Sequence, residues 1–436
     1  MKRRLIYGLV IVALLLNLVI GARIYLSSAN AAEQKDSVYP NLELFTSVLE
    51  KVRAEYVDGQ DLTYHDLVYD ALRGMINSLD PHSEFMDPQE YQELQSDTEG
   101  AFGGLGLVVT MKDHYITVVT PMDGTPGFRA GILPGDRIVK INGLSVERLS
   151  LQEAVEKLRG RPGTQVTMTI QRPSSGLTKD ITLTRAIITQ DMVKDINGSQ
   201  EFPLGPDKIG YIRIAQFGDH TSSELETALK KLKAQGMKAL ILDLRGNPGG
   251  LLDEAVSVCS KFLPHGQVVV TTEGRDPGED TTRRADGHGD ELKGMPIVVL
   301  VNLGSASASE IVTGCLQDLH RAIILGEKTF GKGSVQSIFP LDDGSALKLT
   351  TAKYYTPSHR VIQEHGITPD IIVPMTEEED GALILKSMPG GLASLSPEER
   401  AQVEKIQDVQ LERAEDLLKG MLLYSKLSER EKVAAK

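Results

Sequence analysis

The chain has 436 residues, of which 41% are apolar and 25% charged, as in folded domains, and its length allows about two to four of them. A net charge of −13 argues against nucleic acid as the main partner, because a phosphate backbone needs a basic face. The two cysteines, Cys259 and Cys315, lack the spacing of a zinc site. They form either a disulfide in an exported protein or, as we expect, two buried thiols.

At the N-terminus, Lys2, Arg3 and Arg4 precede an apolar stretch from Leu5 to Ile20, followed by the small-x-small pattern Ala29-Asn30-Ala31. Residues 1–31 therefore read as a secretory signal peptide or a retained membrane anchor, with the remainder exported. Residues 34–95 read as helical: Leu42, Leu44, Phe45, Val48, Leu49 and Val52 recur at helical spacing, as do Leu67, Ala71, Leu72 and Met75. The run Ser78-Leu79-Asp80-Pro81-His82-Ser83 breaks that pattern.

Residues 96–187 form a small β-rich module. Strands are predicted at Leu105–Val109, Tyr115–Val119, Arg137–Ile141, Val166–Ile170 and Ile181–Thr184, with one helix at Leu151–Leu158. Residues 188–375 alternate strands and helices, as an α/β core does. Strands at Leu240–Leu244, Ile297–Val301 and Ala322–Leu325 lead into glycine-rich turns, and helices follow at Leu251–Phe262 and Ile311–His320. Residues 268–294 are polar and acidic and read as a surface excursion. Residues 376–436 read as a charged helical tail. The amphipathic ends at 34–95 and 376–436 predict a homodimer.

Gly103-Gly104-Leu105-Gly106-Leu107 followed by Ala130-Gly131-Ile132-Leu133-Pro134-Gly135-Asp136-Arg137-Ile138-Val139-Lys140-Ile141-Asn142-Gly143 resembles a PDZ domain. That resemblance implies that the backbone N–H groups of the loop take a peptide's C-terminal carboxylate. The peptide then adds as a strand beside Leu105–Val109. Its last side chain enters a pocket lined by Leu105, Leu107, Ala154, Val155 and Leu158.

Chemistry is suggested by Gly304-Ser305-Ala306-Ser307-Ala308-Ser309-Glu310 at a strand-to-helix turn and by Lys332 in Thr329-Phe330-Gly331-Lys332-Gly333. Neither motif contains histidine, so lysine is the candidate base. Ser307 and Glu310 also make the Ser-x-x-Glu of a capping box, which needs no catalytic role. Ser305 and Ser309 are rival nucleophiles, and Lys328 is a rival base. A lysine near pH 7–8 acts as a base only if its pKa falls by about 3 units from about 10.4, normally through burial.

Taken in order, Asp243-Leu244-Arg245-Gly246-Asn247-Pro248-Gly249-Gly250, the serine motif, Thr329–Gln336 and Gly366-Ile367-Thr368-Pro369-Asp370 resemble the C-terminal processing peptidases, or tail-specific proteases. The resemblance takes in Ser78–Ser83 and the PDZ module and covers residues 40–375. It implies an α/β crotonase-like protease core with an inserted PDZ domain and helical N- and C-terminal segments. It also implies a nucleophile at Ser307, a base at Lys332 and an orienting amide at Gln336. The oxyanion hole would use the Ala308 amide and that of Gly249 or Gly250. No metal or cofactor is implied. Expected partners are protein substrates with free C-termini, in the bacterial periplasm or at the outer face of the cytoplasmic membrane. Arg159 could couple the PDZ module to the site, or could be a solvated residue at a helix C-terminus. Two other readings are a non-catalytic PDZ adaptor, which would tolerate loss of Ser307 or Lys332, and a crotonase-like acyl-CoA enzyme, which would need neither export nor a PDZ domain. An α/β-hydrolase is disfavoured because Gly-x-Ser-x-Gly is absent around Ser307.

Overall fold

The computed structural model describes residues 38–434 apart from 60–61, 113–114, 123, 148, 174, 190, 288–291, 388–391 and 393–394. The signal peptide or anchor expected at 1–31 lies outside the described residues. Among those described, no helix is long and apolar enough to cross a membrane. The chain divides into two compact units, one ending at Phe85 and the other beginning at Met86.

The first unit contains α1 (Val38–Glu55) and α2 (Tyr64–Asn77). Thr63 caps α2 by accepting the Asp66 N–H, which satisfies one of the free donors at a helix start. Tyr69 and Ile76 are buried, with Tyr69 edge-on to Phe85. The apolar face of α1 stays exposed at Leu42, Leu44, Phe45, Val48 and Val52. The break at Ser78–Ser83 is a turn built on Asp80, whose carboxylate accepts from the His82 and Ser83 N–H groups and the Ser83 hydroxyl.

The second unit opens with α3 (Pro88–Glu99), which starts at an Asp87/Glu90 capping box and ends at Gly100 in the left-handed conformation. The PDZ sheet follows. Its strands β2 (Leu107–Lys112), β3 (Tyr115–Pro121), β4 (Arg137–Ile141), β5 (Gln165–Arg172) and β6 (Leu177–Thr184) pair antiparallel in that order. Helix α4 (Leu151–Leu158) packs on it and is capped by Ser150 and Glu153. Ile116, Val118, Ile138, Ala154, Met168 and their neighbours form a core of the module's own. Its two connections to the rest of the unit, β1 (Ala101–Gly104) and β7 (Ala186–Thr189), pair with each other as a ribbon.

Beyond the ribbon lies a six-stranded sheet in the order β8 (Val193–Lys194), β9 (Ile209–Ile214), β10 (Ala239–Asp243), β13 (Ile297–Val301), β14 (Ile323–Gly326) and β17 (Ile371–Ile372). All its neighbours run parallel except the β8–β9 pair. Every residue of β10 and β13 is buried, as strands covered on both faces require. On one face Leu240, Leu242, Val299 and Val301 meet α5 (Thr221–Ala234), α6 (Leu252–Ser260) and α7 (Ala308–Asp318). On the other, Ala239, Ile241, Val298 and Leu300 meet Ala414 and Leu418 of α10 (Val409–Ala434). Helices α8 (Glu377–Ser387) and α9 (Pro397–Lys405) precede α10. The C-terminal segment is helical, as expected, and its last helix forms one layer of the core.

The reading of 268–294 as a surface excursion needs correction. Val268–Gly274 is strand β11, with Val269 and Val270 buried. It pairs with β16 (Ala346–Tyr355) and β12 (Thr281–Arg284) in a second, antiparallel sheet, where β15 (Ser334–Pro340) lies on the other side of β16. Cys259 and Cys315 are free thiols, both fully buried and adjacent, and burial pushes the Cys259 thiol well above its usual range.

Candidate active site

Two turns at the ends of β10 and β13 meet a third loop after β14. In the first, Asn247 is fully buried. Its side chain donates to the Ile214 carbonyl at 2.8 Å and accepts the Gly249 N–H at 2.9 Å. Gly249 (φ +102°) has no room for a side chain: a Cβ there would lie 2.7 Å from the Ser307 Cβ and 2.9 Å from the Ala308 nitrogen. A Cβ on Gly250 (φ +144°) would lie 2.2 Å from the Phe217 carbonyl oxygen. Gly249 lets the first turn close against the second, and Gly250 lets it pass close to the Phe217 backbone.

The second turn separates the three candidate serines. Ser305 is fully buried, and its hydroxyl donates to the Leu244 carbonyl at 2.8 Å. Ser309 is equally buried, and its hydroxyl donates to the Asn247 carbonyl at 2.9 Å. Both tie one turn to the other. Ser307 is only partly buried and sits at the start of α7 with φ +54° and ψ −115°. A non-glycine residue held there is strained, and such strain is concentrated at functional sites.

The lysine loop closes on the same point. Glu310 is fully buried. Its Oε2 accepts the Ser307 N–H at 2.9 Å and the Lys332 N–H at 2.8 Å. Its Oε1 accepts the Gly331 N–H at 2.7 Å and the Thr329 hydroxyl at 2.5 Å. Burial pushes its carboxyl above the usual range, and the four hydrogen bonds oppose that shift. A Cβ on Gly333 would fall 2.4 Å from the Gln363 nitrogen, so this loop too packs closely only with glycine. Lys332 is partly buried, whereas its rival Lys328 is exposed.

Gln336, on β15, donates its amide to Ser334 Oγ at 2.9 Å and Thr350 Oγ1 at 3.3 Å. Tyr354, buried on β16, donates its hydroxyl to the Lys332 carbonyl. Burial and the nearby Glu310 charge hold that phenol well above its usual range, so it stays protonated. Asp370 of the Gly-Ile-Thr-Pro-Asp motif has a structural place, accepting the Ile324 N–H at 2.8 Å and the Gln317 amide at 2.9 Å.

With this geometry in place, the similarities to known proteins are informative. The model of peptidase family S41 matches residues 208–373, and that of the PDZ domain matches residues 117–172. The chain is 44% identical over 364 residues to a carboxy-terminal-processing protease of Bartonella bacilliformis, covering 82% of this chain and 81% of that one. The chain belongs to the carboxy-terminal-processing proteases of peptidase family S41. A carboxyl-terminal-processing protease of Synechocystis sp. is 35% identical over 378 residues, covering 83% of this chain and 87% of that one. Among solved structures, a photosystem II D1 C-terminal processing protease is similar at 31% identity and a TM-score of 0.44, covering 80% of this chain and 97% of that one. As a carboxy-terminal-processing protease the chain is a serine-type peptidase acting on protein substrates and carrying a PDZ domain.

The PDZ loop of this protease differs in detail from its expected form. Leu105 and Gly106 make the turn, with Gly106 at φ +67°. Among the described residues their N–H groups have no hydrogen-bond partner, while their carbonyls accept from Gly127 and Met122, each at 2.8 Å. A cavity of about 100 Å³ opens beside them, lined by Gly104, Leu105, Leu107, Val155 and Leu158 among others. Gly103 lies outside the loop. It belongs to ribbon strand β1, where a Cβ would stand 2.0 Å from the Gly160 oxygen. The strand beside the cavity begins at Leu107, not Leu105, and Ala154 is sealed in the module's core instead of lining the cavity. Arg159 caps the cavity edge. Its guanidinium pairs with Asp97 at 3.0 Å and lies 4.3 Å from the Phe102 ring centre.

Sequence reasoning missed Tyr354 and the second role of Glu310. Ser-x-x-Glu was visible as a local motif, but the lysine loop that shares the carboxylate was not. Nothing marks Tyr354 apart from other strand tyrosines.

Proposed function

We propose that this protease cleaves exported proteins near or from their C-terminus with Ser307 as nucleophile and Lys332 as base. One observation carries the pairing. Ser307 and Lys332 donate their N–H groups to the same oxygen of Glu310, so the two main chains meet. The identity of the serine is supported by its rivals, whose hydroxyls are buried and committed to backbone carbonyls.

Neutral Lys332 takes the Ser307 proton as Ser307 attacks the peptide carbonyl. The oxyanion is held by the N–H groups of Ala308 and Gly250. Gly250 is favoured over Gly249, whose N–H is already engaged by Asn247. Protonated Lys332 then gives its proton to the leaving amine, and water releases the acyl group. Gln336 orients the lysine side of the site. The PDZ loop at Gly104–Leu107 takes the substrate's terminal carboxylate on the N–H groups of Leu105 and Gly106. Arg159 transmits its arrival through Asp97 of α3, because the coupling cannot be a direct hydrogen bond to the serine turn when the guanidinium is held there.

We place the PDZ domain at 96–187, inserted before a core at 188–375 of crotonase-like form, in which a parallel sheet carries the serine turn and an antiparallel one the lysine loop. The exported location, the N-terminal segment at 1–31 as signal or anchor, and a homodimer through the exposed apolar face of α1 complete the reading.

Intact mass of a test protein with a free apolar C-terminus, incubated with wild type, Ser307→Ala and Lys332→Ala, tests it. Cleavage by wild type alone, reduced when the carboxylate is masked, is the expected result. Equal processing by all three would move the nucleophile elsewhere. Peptide binding without processing would favour an adaptor.

A further inference from the structure

A capping box asks little of its carboxylate: one oxygen accepts the N–H at the helix start, and the other faces solvent. Glu310 departs from that pattern. Three of its four donors, the Thr329 hydroxyl and the Gly331 and Lys332 N–H groups, come from the lysine loop and not from its own helix. No part of it reaches solvent. Burying a carboxylate is tolerated only when hydrogen bonds replace its water, and this one receives four. It also lies at the N-terminal end of α7, where the helix dipole favours a negative charge.

We propose that Glu310 is a positioning residue for peptide cleavage: its carboxylate sets the spacing between the Ser307 and Lys332 main chains on which proton transfer depends. It touches neither substrate nor the reacting atoms and acts through the two residues it joins. The inference rests on the assignment of Ser307 and Lys332 as nucleophile and base. The lysine loop is also tied to β16, through the Tyr354 hydroxyl donated to the Lys332 carbonyl.

Two substitutions separate positioning from capping. Glu310→Gln keeps the shape, but an NH2 group must face two of the four present donors whichever way the amide turns. Glu310→Asp keeps the charge and capping chemistry but withdraws the oxygens from the lysine loop by one methylene. The test is labelling of the full chain by a small fluorophosphonate, which needs no PDZ engagement. Counting labelled sites at completion gives a rate constant per competent site, which lost or misfolded protein does not alter. We expect that constant to fall about 10–100-fold in both variants, since a misplacement of about 1 Å can cost 10²-fold. KM for a protein substrate should change by less than about 3-fold, because only orientation is lost.

Wild-type labelling rates per site in both variants, with Ser307→Ala unlabelled, would overturn the role of Glu310 and leave the nucleophile standing. Labelling of Ser307→Ala at the wild-type rate would remove the nucleophile assignment and this proposal with it. Loss of the cooperative unfolding transition in both Glu310 variants would make the residue a fold element and equally overturn the proposal.

Discussion

The PDZ domain and helix α10 both lie outside the parallel sheet, yet they relate to it in opposite ways. The PDZ domain buries its own core around Ile138, Val118 and Met168 and meets the rest of the unit through the β1–β7 ribbon and a few polar contacts such as Arg159–Asp97. Helix α10 has no core of its own. It spends Ala414 and Leu418 on one face of the sheet. Just before it, Asp408 makes a two-pronged pair with Arg245, both arms at 2.8 Å. Arg245 also pairs with Asp243, which accepts the Tyr211 hydroxyl at 2.7 Å, directly ahead of the Gly246–Gly250 turn. A segment that buries its own apolar surface can move as a body. One whose apolar surface is the core's other half cannot.

The strongest way to break this comparison is deletion. Removing Val409–Ala434 uncovers Ala239, Ile241, Val298 and Leu300, and should abolish cooperative unfolding and fluorophosphonate labelling together. Replacing residues 101–189 by a short linker should leave a cooperative transition in circular dichroism. If the first truncation melted like the full chain, α10 would be an appendage after all. Arg245→Met is the next largest effect. It strands two carboxylates beside a buried site and should cost about 3–5 kcal/mol in denaturant unfolding, with peptide binding by the PDZ domain unchanged. Its pH dependence has a definite sign. Burial opposes ionisation of Asp243, but the Arg245 and Arg213 charges and the hydrogen bonds from Arg245 and Tyr211 outweigh it, so this carboxyl titrates below the usual range. A depressed carboxylate stabilises the fold above its unfolded pKa of about 3.9, and that stability is lost as pH falls through the depressed value. The gap between wild type and Arg245→Met should therefore be widest at neutral pH and close in strong acid.

The same contrast explains what was legible in the sequence. Arg137–Ile141, Leu151–Leu158 and Ile297–Val301 are found where the pattern puts them, because strand alternation, a Ser150/Glu153 capping box and an unbroken apolar run are all local signals. The serine and lysine motifs were legible for the same reason. Strand β11 was hidden because its Val268-Val269-Val270 run is short and the polar residues after it dominate the composition. Helix α10 was taken for a tail because Ala414 and Leu418, one helical turn apart, are outnumbered by charged neighbours. The partner that gives Arg245 its meaning stands 163 residues away, a distance no local pattern spans. Glu310 is intermediate: its motif was plain, but three of its four ligands lie 19 to 22 residues downstream.

Smaller effects sharpen the comparison from the PDZ side. Val155→Asp places a charge in the apolar cavity beside Leu105 and Leu107 and should weaken binding of an apolar C-terminal peptide roughly tenfold or more, about 1.4 kcal/mol. Because the module's core is separate, Ser307 labelling should stay within about 2-fold of wild type. Arg159→Ala should have the least effect on stability. Its pair with Asp97 is part-exposed, with 30% and 47% of the two side chains accessible, and such pairs contribute about 0–1 kcal/mol. The stacking on Phe102 adds about 0.5–1 kcal/mol at most. If the module is a loosely docked body, those contacts hold its orientation and not its fold. The variant should then unfold at nearly the wild-type midpoint, while cleavage of a tailed substrate responds less to a competing C-terminal peptide. An unchanged response to the peptide would make Arg159 no more than a solvated cap on α4, and the ribbon alone would then have to carry any signal between the two cores.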